Sequence, residues 1–288
     1  MTSSPRQALL GWTARLTRRF HPRGTERLLR LLHHPDLRAN WAIQAIVPYG
    51  KHLRIAIDTS DFIEWSIFFY GCYETGVAEF IQANLSPGGA ALDVGANIGC
   101  HTLLMAEAVG PAGMVAAYEP HPSSFCRLQE NLRRNRLENV VGGQTALSDR
   151  VGETTLYGPA GSASRGVASF YRNNVAGAAE NFPVPVTTLD REVKRLGMTR
   201  LDLIKIDTEG NELRVLRGGR ETLRQHRPVV ILEYSPRTWA AAGSSLPEAS
   251  DWLKKIGYRL QPLPGGKGDL SGKISVDLLA LPGEALER

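Results

Sequence analysis

Long apolar runs are missing from this chain. The longest candidate, Phe62–Tyr70, is short and carries Glu64, whereas a membrane helix needs about 20 apolar residues. No transmembrane segment is therefore expected. Cysteine is scarce. Cys72, Cys100 and Cys126 are odd in number and show no C-x-x-C spacing, which excludes a disulfide framework and a zinc knuckle. Reduced thiols in a cytosol are the simpler reading, so a cytoplasmic location is expected. The N-terminal region lacks the apolar stretch of a secretory signal, and its arginines alone leave a transit peptide open. No internal repeat is visible.

A net basic excess is missing from most of the chain as well. Residues 1–38 hold eight arginines against Glu26 and Asp36, a net of +6, while the whole chain sums to +5. The remaining 250 residues are nearly neutral at −1, which gives a nucleic-acid groove little support. The basic end is either a solvated arm or a contact for an acidic partner or an anionic membrane surface. What is present is an ordinary globular composition, 42% hydrophobic and 22% charged, enough for a full core.

Three regions follow: a basic arm with a short helix (1–38), a cap (39–87) and a larger domain (88–288). Residues 1–24 read as loosely ordered, and Thr25 caps a short helix that Pro35 ends. Trp41–Val47 and Leu53–Asp58 read as strands around the turn Pro48–Lys51. Asp61–Gly71 is dense in aromatics. Phe62, Trp65 and Phe68 read as core, whereas Tyr70, Tyr73 and Glu74, at an element junction, are candidates to touch substrate. Glu74–Asn84 reads as a helix.

From residue 90 strands alternate with helices, which implies a mostly parallel sheet covered on both faces. Ala90–Val94, Met114–Tyr118, Val140–Thr145, Leu201–Ile206 and Pro228–Leu232 read as its strands. The apparent closing pair, Tyr258–Leu263 and Ile274–Leu281, adds an antiparallel strand at one edge. Gly158–Phe182 is long and rich in Gly, Ala, Ser and Asn; it reads as a substrate-side flap (158–182) containing Arg165, or as plain mobility.

Acids stand at the ends of three strands: Asp93, Glu119 and Asp207. Open α/β sheets bind ligands there. Glu119 follows the Asp93-Val94-Gly95-Ala96-Asn97-Ile98-Gly99 loop by one βαβ step, where a carboxylate can accept hydrogen bonds from both ribose hydroxyls. The loop is not a G-x-G-x-x-G fingerprint. An acid leads it, which suits a cationic ligand better than a diphosphate, and S-adenosylmethionine better than NAD.

The motifs ALDVGANIGCHT (91–102), AAYEPHP (116–122), LQENLRRN (128–135), ALSDRVGETTLY (146–157), VPVTTLD (184–190), LDLIKIDTEGNELRVLRGG (201–219) and PVVILEY (228–234) occur in this order. Together they resemble the FkbM family of S-adenosylmethionine-dependent methyltransferases, over roughly Glu74 to Tyr234. The resemblance implies an α/β class I methyltransferase (Rossmann-like) fold, here with an N-terminal α/β cap. It implies O-methylation of a hydroxyl on a small natural product or sugar, with S-adenosylmethionine as cofactor. By position, Asp93, Gly95, Asn97 and Gly99 would hold the methionine end and Glu119 the ribose. Ala146 and Leu147, with Ser148 or Asp149, would line the adenine. Asp207 and Glu209, then Glu233, would face the methyl group and acceptor and are the candidate proton acceptors. His101 and His121 are weaker catalytic candidates. No metal is expected, although Asp207 and Glu233 end adjacent strands and can share a hard cation. The partner is a small-molecule acceptor, not nucleic acid. An NAD-type oxidoreductase and a non-catalytic binding protein on the same fold remain the alternatives.

Overall fold

The structure is a computed structural model that describes residues 5–20, 29, 42–159, 168–266 and 275–283. Apart from Leu29, which is buried, the residues expected to form the Thr25 helix, as well as Trp41 and Arg165, lie outside the described residues.

The region read as loosely ordered is a helix, α1 (Pro5–Phe20). Its arginines mask an apolar stripe in the sequence: Leu10, Ala14 and Thr17 recur at helical spacing and are buried. They pack on α2 (Phe62–Tyr70). The Thr17 hydroxyl donates to the Phe69 carbonyl. Arg18 donates to the Phe68 and Ile67 carbonyls at 2.9 and 3.0 Å, satisfying acceptors that the end of a helix leaves open. Asp61 caps the other end of α2, accepting from the Ile63 and Glu64 amides.

Ahead of α2, β1 (Gln44–Tyr49) and β2 (Leu53–Asp58) form an antiparallel hairpin. The alternation of Leu53, Ile55 and Ile57 with half-open positions is that of a strand with one buried face. Side chains of α5 (Pro122–Arg134) seal the free edge of β2: the Ala56 amide donates to Asn131 Oδ1 at 3.0 Å. Arg127 on the same helix pairs with the buried Glu64 on α2. Burial pushes the Glu64 carboxyl up to about 7, against the lowering effect of Arg127. α3 (Thr75–Asn84) follows.

The main sheet has seven strands in the order β11-β12-β10-β9-β3-β4-β5. β3 (Ala90–Val94), β4 (Met114–Tyr118), β5 (Val140–Gly143), β9 (Leu203–Ile206) and β10 (Val229–Tyr234) are parallel. β12 (Val276–Pro282) runs antiparallel between β10 and the edge strand β11 (Tyr258–Pro262). The closing pair is therefore not simply appended: its last strand inserts inside the edge. Period-2 alternation splits the core in two. Ala91, Val115, Leu203 and Ile231 face α2, α3, α5 and α4 (Cys100–Val109). Leu92, Ala116, Ile204 and Val230 face α6 (Leu189–Arg195), α7 (Glu212–Gly218), α8 (Arg220–His226), α9 (Pro236–Ala241) and α10 (Leu246–Lys255).

The strand expected over Val140–Thr145 ends at Gly143, and a separate short strand starts at Ala146. β5 joins the main sheet, and β6 (Ala146–Ser148) joins a three-stranded sheet with β8 (Ala179–Thr188) and β7 (Gly152–Pro159). The β7–β8 pairing runs from Gly152↔Val186 to Pro159↔Ala179. The expected flap is thus partly strand at both ends. Beyond it, Tyr157 and Ser169 exchange backbone hydrogen bonds.

Candidate active site

A cavity opens at the carboxyl ends of β3, β4, β9 and β10. Gly95, Asn97, Glu119, Asp207 and Glu233 all line it. The position follows from chain geometry: each parallel strand leaves the sheet there, and the loops must diverge.

The loop after β3 is tightly built. The Gly95 and Ala96 amides both donate to the Tyr118 carbonyl, at 2.9 and 3.0 Å. Gly95 has φ +84°, and a Cβ there would lie 1.8 Å from the Asp207 carbonyl oxygen. Its missing side chain is what lets the loop close against the end of β9. Gly99 (φ +91°) plays a similar part, since a Cβ would meet Leu128 on α5 at 2.6 Å. Gly99 itself does not line the cavity; its visible work is helix entry and packing.

Asp93 is buried. Thr102 Oγ1 donates to its Oδ2 at 2.6 Å. Among the described residues its Oδ1 has no hydrogen-bond partner, and neither has the buried Oδ1 of Asn97. Two acceptors left open in one loop suit a ligand that donates, such as an ammonium. Glu119 accepts from the Asn97 amide and the His121 amide, both at 2.8 Å, one on each carboxylate oxygen. Each oxygen keeps a lone pair for a ribose hydroxyl. Burial pushes the Glu119 carboxyl up to about 7; the two amides oppose this, and Asp93 and Asp207 add to it.

Thr145, Ala146 and Leu147 form an apolar wall of the cavity. Asp149 is not on it. Its carboxylate faces Arg214 on α7 at 3.2 Å, because the chain turns outward after β6. Asp149, expected beside the adenine, is thus placed off the cavity wall. Ser148 is buried and donates to Asn211 Oδ1 at 3.4 Å, while Asn211 Nδ2 donates to the Leu147 carbonyl at 2.7 Å. Asn211, unforeseen in the sequence, thus ties the apolar wall to the acid-bearing loop.

That loop, after β9, carries Asp207 and Glu209, and β10 carries Glu233. Asp207, Glu209 and Glu233 each offer an oxygen, and these lie within 4.8 Å of one another. The expected pair thus gains Glu209 as a third carboxylate, in a spacing that can hold a metal ion. Glu209 sits in the left-handed region, φ +51°. Asn174 Nδ2 (2.9 Å) and Ser169 Oγ (2.7 Å) donate to its carbonyl and pin that conformation. Both come from the segment read as a flap. Glu212 closes the loop from below, accepting from the Thr208 and Gly210 amides at 2.8 and 3.1 Å. Burial pushes its carboxyl up to about 7.

Lys205 is the main residue that the sequence reading passed over. It is 4% exposed, in register with Asp93 on β3 and Ile231 on β10. Its Nζ lies 3.0 Å from Asp207 Oδ2. Burial works to lower its pKa, but Asp207, Asp93 and Glu74 outweigh that and hold it above the ordinary lysine value. A lysine inside a buried strand was the available signal.

On the cap side, Phe62 and Tyr73 line the cavity. Phe62, in the first turn of α2, packs against the core as expected and also forms part of the cavity wall. Trp65 and Phe68 are core as expected. Tyr70 and Glu74 do not line the cavity. Tyr70 packs edge-on against Trp65, and Glu74 lies 3.7 Å from His101 Nε2; neither is placed to touch substrate directly. His101 does line the cavity. Its pKa is pushed down to about 4 by burial and Lys205, against the pull of Glu74, so it is neutral at physiological pH. His121 caps α5 through Nδ1, a structural task.

The Methyltransferase FkbM domain pattern matches residues 93–260, more than half of the chain. This chain belongs to the FkbM methyltransferase family. The domain is that of an S-adenosylmethionine-dependent methyltransferase, which sets the NAD-type reading aside. Similar curated proteins include 31-O-demethyl-FK506 methyltransferase FkbM of Streptomyces tacrolimicus, 31% identical over 55% of this chain and 68% of its own length. Methyltransferase 1 of Beauveria bassiana is 30% identical over 55% of this chain and 66% of its own length. AMB antimetabolite synthetase AmbE of Pseudomonas aeruginosa is 31% identical over 61% of this chain, which spans only 10% of that synthetase. Among solved structures, Methyltransferase FkbM from Methylobacillus flagellatus KT covers 70% of this chain and 50% of its own, at 15% identity and a TM-score of 0.46.

Proposed function

We propose that this FkbM-family member methylates a hydroxyl oxygen of a small acceptor, a sugar or a natural product. The observation that carries the reading is the convergence of Asp207, Glu209 and Glu233 in the cavity that Asn97, Glu119 and Leu147 also line. The name of the Streptomyces relative, 31-O-demethyl-FK506 methyltransferase, is compatible with it.

The cofactor supplies an activated methyl group on a sulfonium that leaves readily. Asn97 and the backbone at Gly95, which line the cavity, bind its amino-acid end, and Asp93, buried and off the cavity wall, adds negative charge beside them. Glu119 holds the ribose, and Ala146 and Leu147 cover the base. Alignment of acceptor and methyl then contributes much of the acceleration. A hydroxyl must also lose its proton in or after the transition state, to a positioned base. Lys205 already claims one oxygen of Asp207, so Asp207 orients the acceptor, and Glu209 or Glu233 receives the proton.

The test is the full chain with methyl-labelled S-adenosylmethionine and a panel of hydroxylated sugars and macrolides. Label on an acceptor oxygen is expected. Glu209→Gln or Glu233→Gln should lose turnover while keeping affinity for S-adenosylhomocysteine. Label on nitrogen or carbon contradicts O-methylation. Intact cofactor binding with no transfer to any acceptor favours a binding module.

The same three carboxylates favour one second reading, a metal-assisted transfer with a hard cation on their oxygens. Turnover that survives a chelator unchanged removes it.

A further inference from the structure

The basic end of the chain has no part in the site above, and α1 gives it a definite surface. One face of α1 is used up. Leu10, Ala14 and Thr17 are buried against α2, and Arg18 is tied to its terminal carbonyls. The opposite face is not apolar by accident of a single residue. Trp12 is 61% exposed and Leu16 38% exposed, at i and i+4, so they adjoin on one face. Arg15, exposed, stands beside them. The helix holds four arginines and no acid. Residues 1–38 carry a net +6, while the rest of the chain is nearly neutral.

We propose that the outer face of α1 docks on an anionic lipid surface, with Trp12 and Leu16 entering the headgroup boundary and Arg15 beside them facing lipid phosphates. Two features choose this occupant over a protein. Two side chains supply far less apolar area than the roughly 800 Å² per partner of a stable protein interface. Interfacial binding needs only a modest apolar strip, because charge contributes the rest. Trp and Arg together also match the boundary chemically: one is amphipathic, and the other keeps its charge in contact with phosphate. The contact is peripheral. Among the described residues no helix is long and apolar enough to cross a membrane. Docking would bear on catalysis through α2, whose first turn supplies Phe62 and Ile63 to the cavity.

The experiment is co-sedimentation of the full chain with vesicles of phosphatidylcholine alone or mixed with phosphatidylglycerol at about two to one. Binding to the anionic vesicles is expected to exceed binding to the neutral ones by about tenfold or more and to weaken in high salt. Trp12→Ser with Leu16→Ser should abolish most of it, and Arg15→Glu should weaken it. All three substitutions are on exposed positions, so the thermal midpoint and the affinity for S-adenosylhomocysteine should stay at wild-type values. No preference for anionic vesicles overturns the proposal. So does a double variant that sediments like wild type. Binding to an RNA oligonucleotide without vesicle binding assigns the charge to nucleic acid instead. A dimer that the double variant dissolves, again without vesicle binding, assigns the face to a second copy. Each of these results is independent of which acceptor the enzyme methylates.

Discussion

Lys205 Nζ lies 3.0 Å from Asp207 Oδ2, and the pair stands on the sheet face that also carries Asp93. One buried cation thereby anchors an acid-rich site built for a cationic cofactor. Removing one partner of such a pair leaves charge uncompensated. Lys205→Met should destabilise the protein by about 3 kcal/mol in a denaturant titration. An unchanged midpoint would show that the pair is ornamental.

Glu119 links pH to both binding and stability. Its carboxyl is held near 7 mainly by burial. Ribose hydroxyls donate to the ionised form, so affinity for S-adenosylhomocysteine should rise with pH through about 7. The folded state also binds more protons than the unfolded state between the ordinary glutamate value and 7. The contribution of Glu119 to stability therefore falls as pH rises across that window. Glu119→Gln should gain about 2 kcal/mol of stability at pH 8 and lose about tenfold or more in affinity. Calorimetry and thermal melts at pH 5.5 and 8 check both signs, those pH values being chosen to lie on either side of about 7.

Gly95 and Gly88 separate steric contact from backbone strain. Both have positive φ, +84° and +79°. Only Gly95 would place a Cβ against backbone, the Asp207 carbonyl; nothing lies within 4 Å of one at Gly88. Gly88→Ala should cost about 1 kcal/mol, and Gly95→Ala several kcal/mol with loss of cofactor binding. Equal melting points for the two variants would refute the contact.

Asn174 should act on turnover through Glu209. Its Nδ2 donates to the Glu209 carbonyl at 2.9 Å and to the Thr238 carbonyl at 3.4 Å. Asn174→Ala should leave S-adenosylhomocysteine affinity within about twofold while lowering kcat by about tenfold or more on the acceptor. A matched loss of both would mean a general structural role.

Much of this site is legible in the sequence, and the reasons are physical. The apolar run Ala90–Val94 must be a buried strand, and the acid-led glycine loop after it fixes where ligands bind. Glu119 follows by one βαβ step. Lys205 was harder to read, since its partner Asp93 is 112 positions away and register emerges only when β3 and β9 pair. Asn174 was illegible because its work is on a carbonyl, which has no sequence signature. Asp149 misled because β6 leaves the main sheet and turns its next residue toward Arg214. In α1, arginines concealed an apolar stripe that becomes a core face only once α2 lies against it.

The cavity beside Asn97 and Glu119 should bind an adenosyl cofactor for methyl transfer, which isothermal titration of the full chain with S-adenosylhomocysteine, and separately with NAD, checks. Saturable one-to-one binding of S-adenosylhomocysteine, weakened in Glu119→Gln, is expected, with no binding of NAD. Heat from NAD alone, or S-adenosylhomocysteine binding that Glu119→Gln leaves untouched, would contradict it.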